Sequence, residues 1–215
     1  MKKEQELALA KQILNSEAQS ILAAKEKLGA PFLAALDLIT EKLKKGGKIV
    51  VSGVGKSGKV ASKVAATLSS TGSLAVFLHP SEAAHGDLGM VSPDKDVLLA
   101  FSHSGNSDEL LRILPTMKHL HIPVICIVGS ERSSIAAQSD VVISYTITEE
   151  ACPLNLAPTS STTVSIALGD ALALCLSQRW NFQAENFAVL HPAGSLGRRL
   201  TLLVKDLMKK NGELG

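Results

Sequence analysis

The sequence predicts an α/β fold, a three-layer α-β-α sandwich around a five-stranded parallel sheet, with two helices ahead of it. Three observations predict it. Five short apolar runs are nearly unbroken rather than alternating, as strands covered on both faces should be. Helical patterns separate most of these runs, and β and α alternating at this spacing build a parallel sheet. Two strand ends run into turns rich in glycine and serine with a helix after each, which puts chemistry at the strands' C-terminal edge, where open α/β sheets bind ligands. A chain of 215 residues suffices for one such domain and falls short of two.

Residues 4–28 read as a long amphipathic helix in which Leu7, Leu14, Ile21 and Leu28 recur every seven positions, with Ala10 and Ala24 between them. That stripe packs either on its own domain or on another subunit. After Gly29, Pro31 opens a second helix that runs to residue 45 and is ended by Gly46-Gly47. Strands are expected at 48–52, 74–77, 96–101, 123–128 and 141–144. Helices are expected at 59–71, 107–120 and, shorter, around 133–139. A long helix over 159–176, capped by Thr159 or Ser160, is apolar nearly all round except at Asp170, so it belongs in a core or a subunit interface. The resulting division is 1–47 for the N-terminal helices, 48–203 for the α/β domain and 204–215 for a C-terminal tail.

Charge and composition exclude several classes. The net charge is +2 with Lys and Arg spread along the chain, and seven aromatics offer no stacking platform, so nucleic acid is not an expected partner. No apolar run approaches the roughly 20 residues of a membrane span, and Met1-Lys2-Lys3 leads into Glu4-Gln5-Glu6 rather than a signal core. A cytoplasmic protein without a membrane partner is expected. Three cysteines without C-x-x-C spacing read as reduced thiols, with Cys126 and Cys175 acting as small hydrophobes in a strand and a helix.

The first glycine turn, Gly53-Val54-Gly55-Lys56-Ser57-Gly58, follows an apolar run and precedes a helix, the arrangement in which backbone N–H groups converge on a phosphate. It is not a nucleotide P-loop, because Val50 stands where the first glycine belongs. Nor is it a dinucleotide fingerprint, because Gly58 falls two rather than three positions after the second glycine. The second turn, Ser102-His103-Ser104-Gly105-Asn106-Ser107, repeats the layout and suits a group with several acceptor oxygens. Ser107 stands at an N-cap position with Asp108 and Glu109 in the first turn. From the residues alone, Lys56 is the one side chain singled out for chemistry.

These two turns occur together with His79-Pro80-Ser81-Glu82-Ala83-Ala84-His85-Gly86-Asp87-Leu88-Gly89, with the stretch from Glu150-Ala151-Cys152-Pro153 to Thr162, and with His191-Pro192-Ala193-Gly194-Ser195-Leu196-Gly197-Arg198. In that order and combination the chain resembles the SIS (sugar isomerase) domain family, and within it the arabinose 5-phosphate isomerases. The resemblance implies interconversion of arabinose 5-phosphate and ribulose 5-phosphate through an enediol, feeding synthesis of the acid sugar Kdo for lipopolysaccharide or capsule. It also implies a homotetramer. By similarity the catalytic residues are Lys56, Glu109, Glu150 and His191. On that likeness either glutamate serves as the base at the α-carbon, His191 passes protons between oxygens or opens the ring, and Lys56 stabilises charge on the enediolate or the phosphate.

Phosphate contacts fall on Ser57, Ser102, Ser104 and Ser107, and sugar contacts implied by the resemblance on Gly72, Ser73 and His85. His79 matches a position associated with zinc, although a lone histidine makes no metal site and the enediol route requires no cofactor. Relatives commonly carry Asn and Glu where this chain has His103 and Asn106, and two glycines where it has Ala193-Gly194, which bears on substrate preference more than on reaction type. Relatives often continue into a pair of CBS domains, whereas this chain stops at Leu203-Val204-Lys205-Asp206-Leu207-Met208, as a lone SIS domain or a cut one. The competing expectations are a non-catalytic sugar-phosphate sensor and an isomerase of another sugar phosphate.

Overall fold

Strands β1 (Ile49–Gly53), β2 (Ala75–Phe77), β3 (Val97–Ser102), β4 (Val124–Val128) and β5 (Val141–Ser144) form one parallel sheet in the computed structural model, which describes residues 3–192. Its order is β2-β1-β3-β4-β5. Every residue of β1, β3 and β4 is buried, which explains their unbroken apolar sequences. Alternate side chains serve opposite faces. Ile49, Val51, Leu99, Phe101, Ile125 and Ile127 pack into a core with α2 (Ala30–Lys44), α3 (Gly55–Ser70) and α6 (Ser160–Arg179). Val50, Leu98, Ala100, Val124, Cys126 and Val128 pack under α5 (Asp108–His119) and the short α4 (Pro80–Ala84). This is the expected three-layer sandwich.

From β1 the chain crosses to β2 on one side and then returns to β3 on the other. Loops leaving β1 and β3 therefore diverge, and a crevice opens outside their carboxyl ends.

Several details differ from the sequence reading. Helix α3 starts at Gly55, not at 59, so Lys56 and Ser57 sit in its first turn. Gly55 takes φ +58°, and an added Cβ on Gly58 would lie 2.8 Å from the Gly53 carbonyl oxygen. Glycine at all three positions lets the helix begin almost directly on the strand end. Around 133–139 there is only a 3₁₀ turn, Ala136–Gln138, with the Ser133 hydroxyl accepting from the Ala136 N–H at its start and the Ser139 hydroxyl donating to the Ile135 carbonyl at its end. Helix α4, a 3₁₀ turn at Asp87–Met90 and α7 (Ala184–Leu190) were not expected.

Helix α1 (Lys3–Lys27) touches α6 but buries only Ser20 and Ala24. Its heptad residues Leu7, Leu14 and Ile21, and Leu28 beyond its end, are exposed. The stripe is therefore not spent on its own domain. Helix α6 is, by length and composition, able to span a membrane, but 56% of that window is buried. It packs on α3 so closely that a Cβ on Gly169 would lie 2.4 Å from Val64 Cγ2, and its Asp170 pairs with Lys63 at 2.5 Å. Its apolarity is that of a core helix. Leu174 and Cys175 on its outer side are exposed, so Cys175 is not packed away as Cys126 is. The boundary at 203/204 and the tail 204–215 lie outside the described residues.

Candidate functional site

The crevice between β1 and β3 holds a cleft of about 270 Å³. Six residues singled out in the sequence line it: Lys56, Ser57, Ser102, Ser104, Ser107 and Glu150. Each arrives by a short route. Lys56 and Ser57 come from the first turn of α3, directly after β1, and the Lys56 ammonium makes no hydrogen bond or ion pair with a described residue. The serines come from the loop joining β3 to α5.

That loop is held by its own polar groups. The buried Ser102 Oγ accepts from the Gly105 N–H at 3.1 Å and pairs with Ser107 Oγ at 2.9 Å. Ser107 is the N-cap residue of α5 but makes no side-chain capping bond, so its hydroxyl stays turned to the Ser102 pair. Ser104 Oγ accepts from the Asn106 N–H, and the Asn106 carboxamide oxygen accepts from the Ser134 N–H, tying the loop to the segment after β4. Gly105, at φ +65°, is required because an added Cβ would lie 2.1 Å from Ser133 Oγ. The N-termini of α3 and α5 both point into the cleft, and their partial positive charges favour an anion there.

Glu150 arrives on the loop between β5 and α6. Its Oε2 accepts from the Thr159 and Ser161 N–H groups, at 2.7 and 3.1 Å, and from the Thr159 hydroxyl, and its Oε1 accepts from the Ser161 hydroxyl. Neither Thr159 nor Ser160 caps α6 with its own side chain; Glu150 supplies the cap from nine residues upstream. Partial burial alone pushes this carboxyl up, but hydrogen bonds from Ser161 and Thr159 outweigh it and hold Glu150 below the ordinary 4.5. The carboxylate also neutralises the α6 dipole, which leaves anion binding to α3 and α5.

The other candidates are not gathered into this cleft. Glu109 lies in the first turn of α5, half-buried and without a described hydrogen-bond partner, two residues from Ser107 but outside the lining. His79 and His85 cap the two ends of α4 on the same edge of the sheet. His79 Nδ1 accepts from the Ser81 N–H at 3.2 Å. Among the described residues no group of three His, Cys, Asp or Glu side chains is placed to hold a metal ion, so the surroundings of His79 do not fit zinc within one chain.

Gly72 and Ser73 lie at the opposite edge, a helix of 16 residues or about 24 Å from Lys56. Ser73 is buried and accepts from Trp180 Nε1, and Gly72 lies against the Phe182 ring. His191 ends α7, which hangs from that far end of α6. Its Nδ1 donates to the Phe187 carbonyl at 2.8 Å and its ring stacks on Phe187 at 3.8 Å. Its Nε2 has no partner among the described residues.

Sequence reasoning assigned no site role to Ser161, Thr162 and Ser165 on α6, which line the cleft together with His103, the position already tied to substrate preference. The hydroxyl cluster at the predicted start of the last long helix was their signal. A larger depression, about 680 Å³, lies near Lys42, Leu114, Lys118 and His121. There α2 and α5 end, so the negative ends of their dipoles lie beside it, not the positive ends found at the β1/β3 cleft.

Residues 42–175 match the SIS domain family. The arabinose 5-phosphate isomerase KdsD of Shigella flexneri is 53% identical over 168 residues, covering 78% of this chain and 51% of that protein. KdsD of Pseudomonas aeruginosa is 46% identical over 199 residues, covering 93% of this chain and 60% of that one. The chain thus spans about half the length of the curated relatives it matches. Among solved structures, E. coli CFT073 c3406 in complex with arabinose 5-phosphate is similar with a TM-score of 0.80 and 38% identity, over 89% of this chain and 100% of that chain.

Proposed function

Because the chain belongs to the SIS domain family, we propose that its cleft takes a phosphorylated sugar and that it interconverts D-arabinose 5-phosphate and D-ribulose 5-phosphate through an enediol. The observation that carries this is the meeting of two uncapped helix N-termini, a free lysine and serine hydroxyls beside a fixed carboxylate at the β1/β3 switch point. Relatives named arabinose 5-phosphate isomerase at 53% identity support that choice of sugar. In this reading the protein works in the cytoplasm and supplies arabinose 5-phosphate for Kdo synthesis.

The phosphate sits on the N-termini of α3 and α5, against Ser57, Ser104 and Ser107, with Ser102 bracing the loop from below. Lys56 offsets charge on the phosphate or the enediolate oxygen. Glu150, with both oxygens already engaged and its carboxyl drawn toward the ionised form, is a weak proton carrier and orients the sugar instead. Glu109, unpaired and just beyond the cleft lining in the first turn of α5, turns its side chain toward the bound sugar, takes the proton from the carbon next to the carbonyl and returns it to the neighbouring carbon. His191 moves protons between the two oxygens.

Because α7 departs from the far end of α6, His191 is supplied to this cleft by another copy of the chain. The exposed Leu7, Leu14 and Ile21 of α1 and Leu174 of α6 offer surfaces for such assembly, and a homotetramer is the proposed state. No cofactor enters this route. Zinc at His79 would need ligands from outside the described residues of one chain.

The test is incubation of the purified protein with ribulose 5-phosphate, with product followed by NMR. Appearance of arabinose 5-phosphate, lost in Glu109→Gln, supports the enzyme and the base. Ribulose 5-phosphate that binds but never turns over makes the protein a sugar-phosphate sensor.

A further inference from the structure

We propose that His103 contacts the sugar phosphate directly through Nε2, and that Tyr145, acting through it, is its positioning residue. The proposal rests on the sugar-phosphate reading of the cleft and adds a contact to it.

His103 follows Ser102 at the end of β3, is exposed, and lines the cleft. Its Nδ1 lies 3.0 Å from Tyr145 Oη, and the two rings stack at 5.6 Å with 27° between their planes. Behind the ring is the Gly129 backbone, so close that an added Cβ would lie 2.7 Å from Nδ1 and 2.8 Å from Cε1. The Nδ1–Cε1 edge is thereby fixed inward. The side chain as a whole is exposed and lines the cleft, and its Nε2 has no hydrogen-bond partner among the described residues. An imidazole tied at one nitrogen has its orientation set for whatever meets the other.

Tyr145 is placed to do the tying. It is fully buried just after β5, and its hydroxyl lies 3.1 Å from Ser165 Oγ and 3.3 Å from the Ser161 carbonyl oxygen, besides His103. Burial keeps it a neutral hydroxyl, its pKa pushed up to about 12. Ser161 in turn holds Glu150. One hydroxyl thus joins the loop carrying His103 to the helix end carrying Glu150, the two walls between which the sugar would lie.

The experiment measures KM and kcat for ribulose 5-phosphate in His103→Ala, His103→Asn, Tyr145→Phe and the double variant, with melting temperatures to confirm folding. His103→Ala should raise KM roughly tenfold with a smaller change in kcat, the size of one lost hydrogen bond to a charged or polar ligand. His103→Asn, which keeps a donor and an acceptor, should recover part of it. Tyr145→Phe should raise KM less, and should add nothing in the His103→Ala background, because its effect passes through His103. Unchanged KM and kcat in His103→Ala would overturn the contact, and a Tyr145→Phe effect of equal size in both backgrounds would overturn the positioning.

Should the wild type bind ribulose 5-phosphate without turning it over, isomerase activity fails separately. Calorimetry then decides the contact: a roughly tenfold weaker Kd in His103→Ala supports it, and an equal Kd overturns it. A wild type that binds no sugar phosphate removes both readings.

Discussion

Glu150 shows how one side chain can serve fold and site together. Its carboxylate caps α6 with four hydrogen bonds, and an N-cap of this kind contributes about 1 kcal/mol. A carboxyl held below its ordinary value stabilises the fold above that value and ceases to do so as pH falls through the lowered one. Glu150→Gln should therefore be less stable at pH 7 by about 1 kcal/mol, with the gap closing below pH 4.5; chemical denaturation across that range measures it. A gap independent of pH would show that the charge is not what holds α6. Lys56, with no described partner to satisfy, should behave in the opposite way. Lys56→Ala should leave stability nearly unchanged and weaken phosphate binding at least about tenfold by calorimetry.

At the scale of elements, the parallel sheet was legible because β1, β3 and β4 are buried on both faces, and burial writes itself as unbroken Val, Ile and Leu. The two glycine-serine turns were legible because helix starts on strand ends need glycine, as Gly53, Gly55 and Gly58 show. What local pattern does not carry is pairing at a distance. The Glu150 cap spans eleven residues to Ser161, and the His103–Tyr145 contact spans 42, so neither leaves a periodic trace. Short helices such as α4 and α7 are likewise too brief for periodicity to announce them.

Close packing between α3 and α6 also depends on a distant pair. Gly169→Ala would gain about 1 kcal/mol of helix propensity. It would also push a methyl into the buried, β-branched Val64, and overpacking of that kind costs about 1–3 kcal/mol. The net prediction is a melting temperature lowered by several degrees, read by calorimetry. An unchanged or raised value would mean that α6 can shift away from α3.

For the whole molecule, the exposed heptad of α1 and the placement of His191 lead to the same requirement. A stripe of Leu7, Leu14 and Ile21 left in water is costly, and under the proposed mechanism the cleft needs His191, which one chain places elsewhere. Sedimentation should give a mass of about four times 22.6 kDa, stable on dilution. Leu7→Ser with Leu14→Ser should shift it toward the single-chain mass, with activity falling in parallel. Full activity in the dissociated variant would show that one chain holds a complete site.

The central claim, an enediol intermediate in the β1/β3 cleft, is tested most directly by running the reaction from ribulose 5-phosphate in D2O and reading C2 of the product by NMR. Proton transfer through an enediol predicts arabinose 5-phosphate carrying solvent deuterium at C2, with both product and exchange lost in Glu109→Gln. Product formed with no deuterium at C2 would contradict proton exchange with solvent at the intermediate. Exchange undiminished in Glu109→Gln would take the base away from α5.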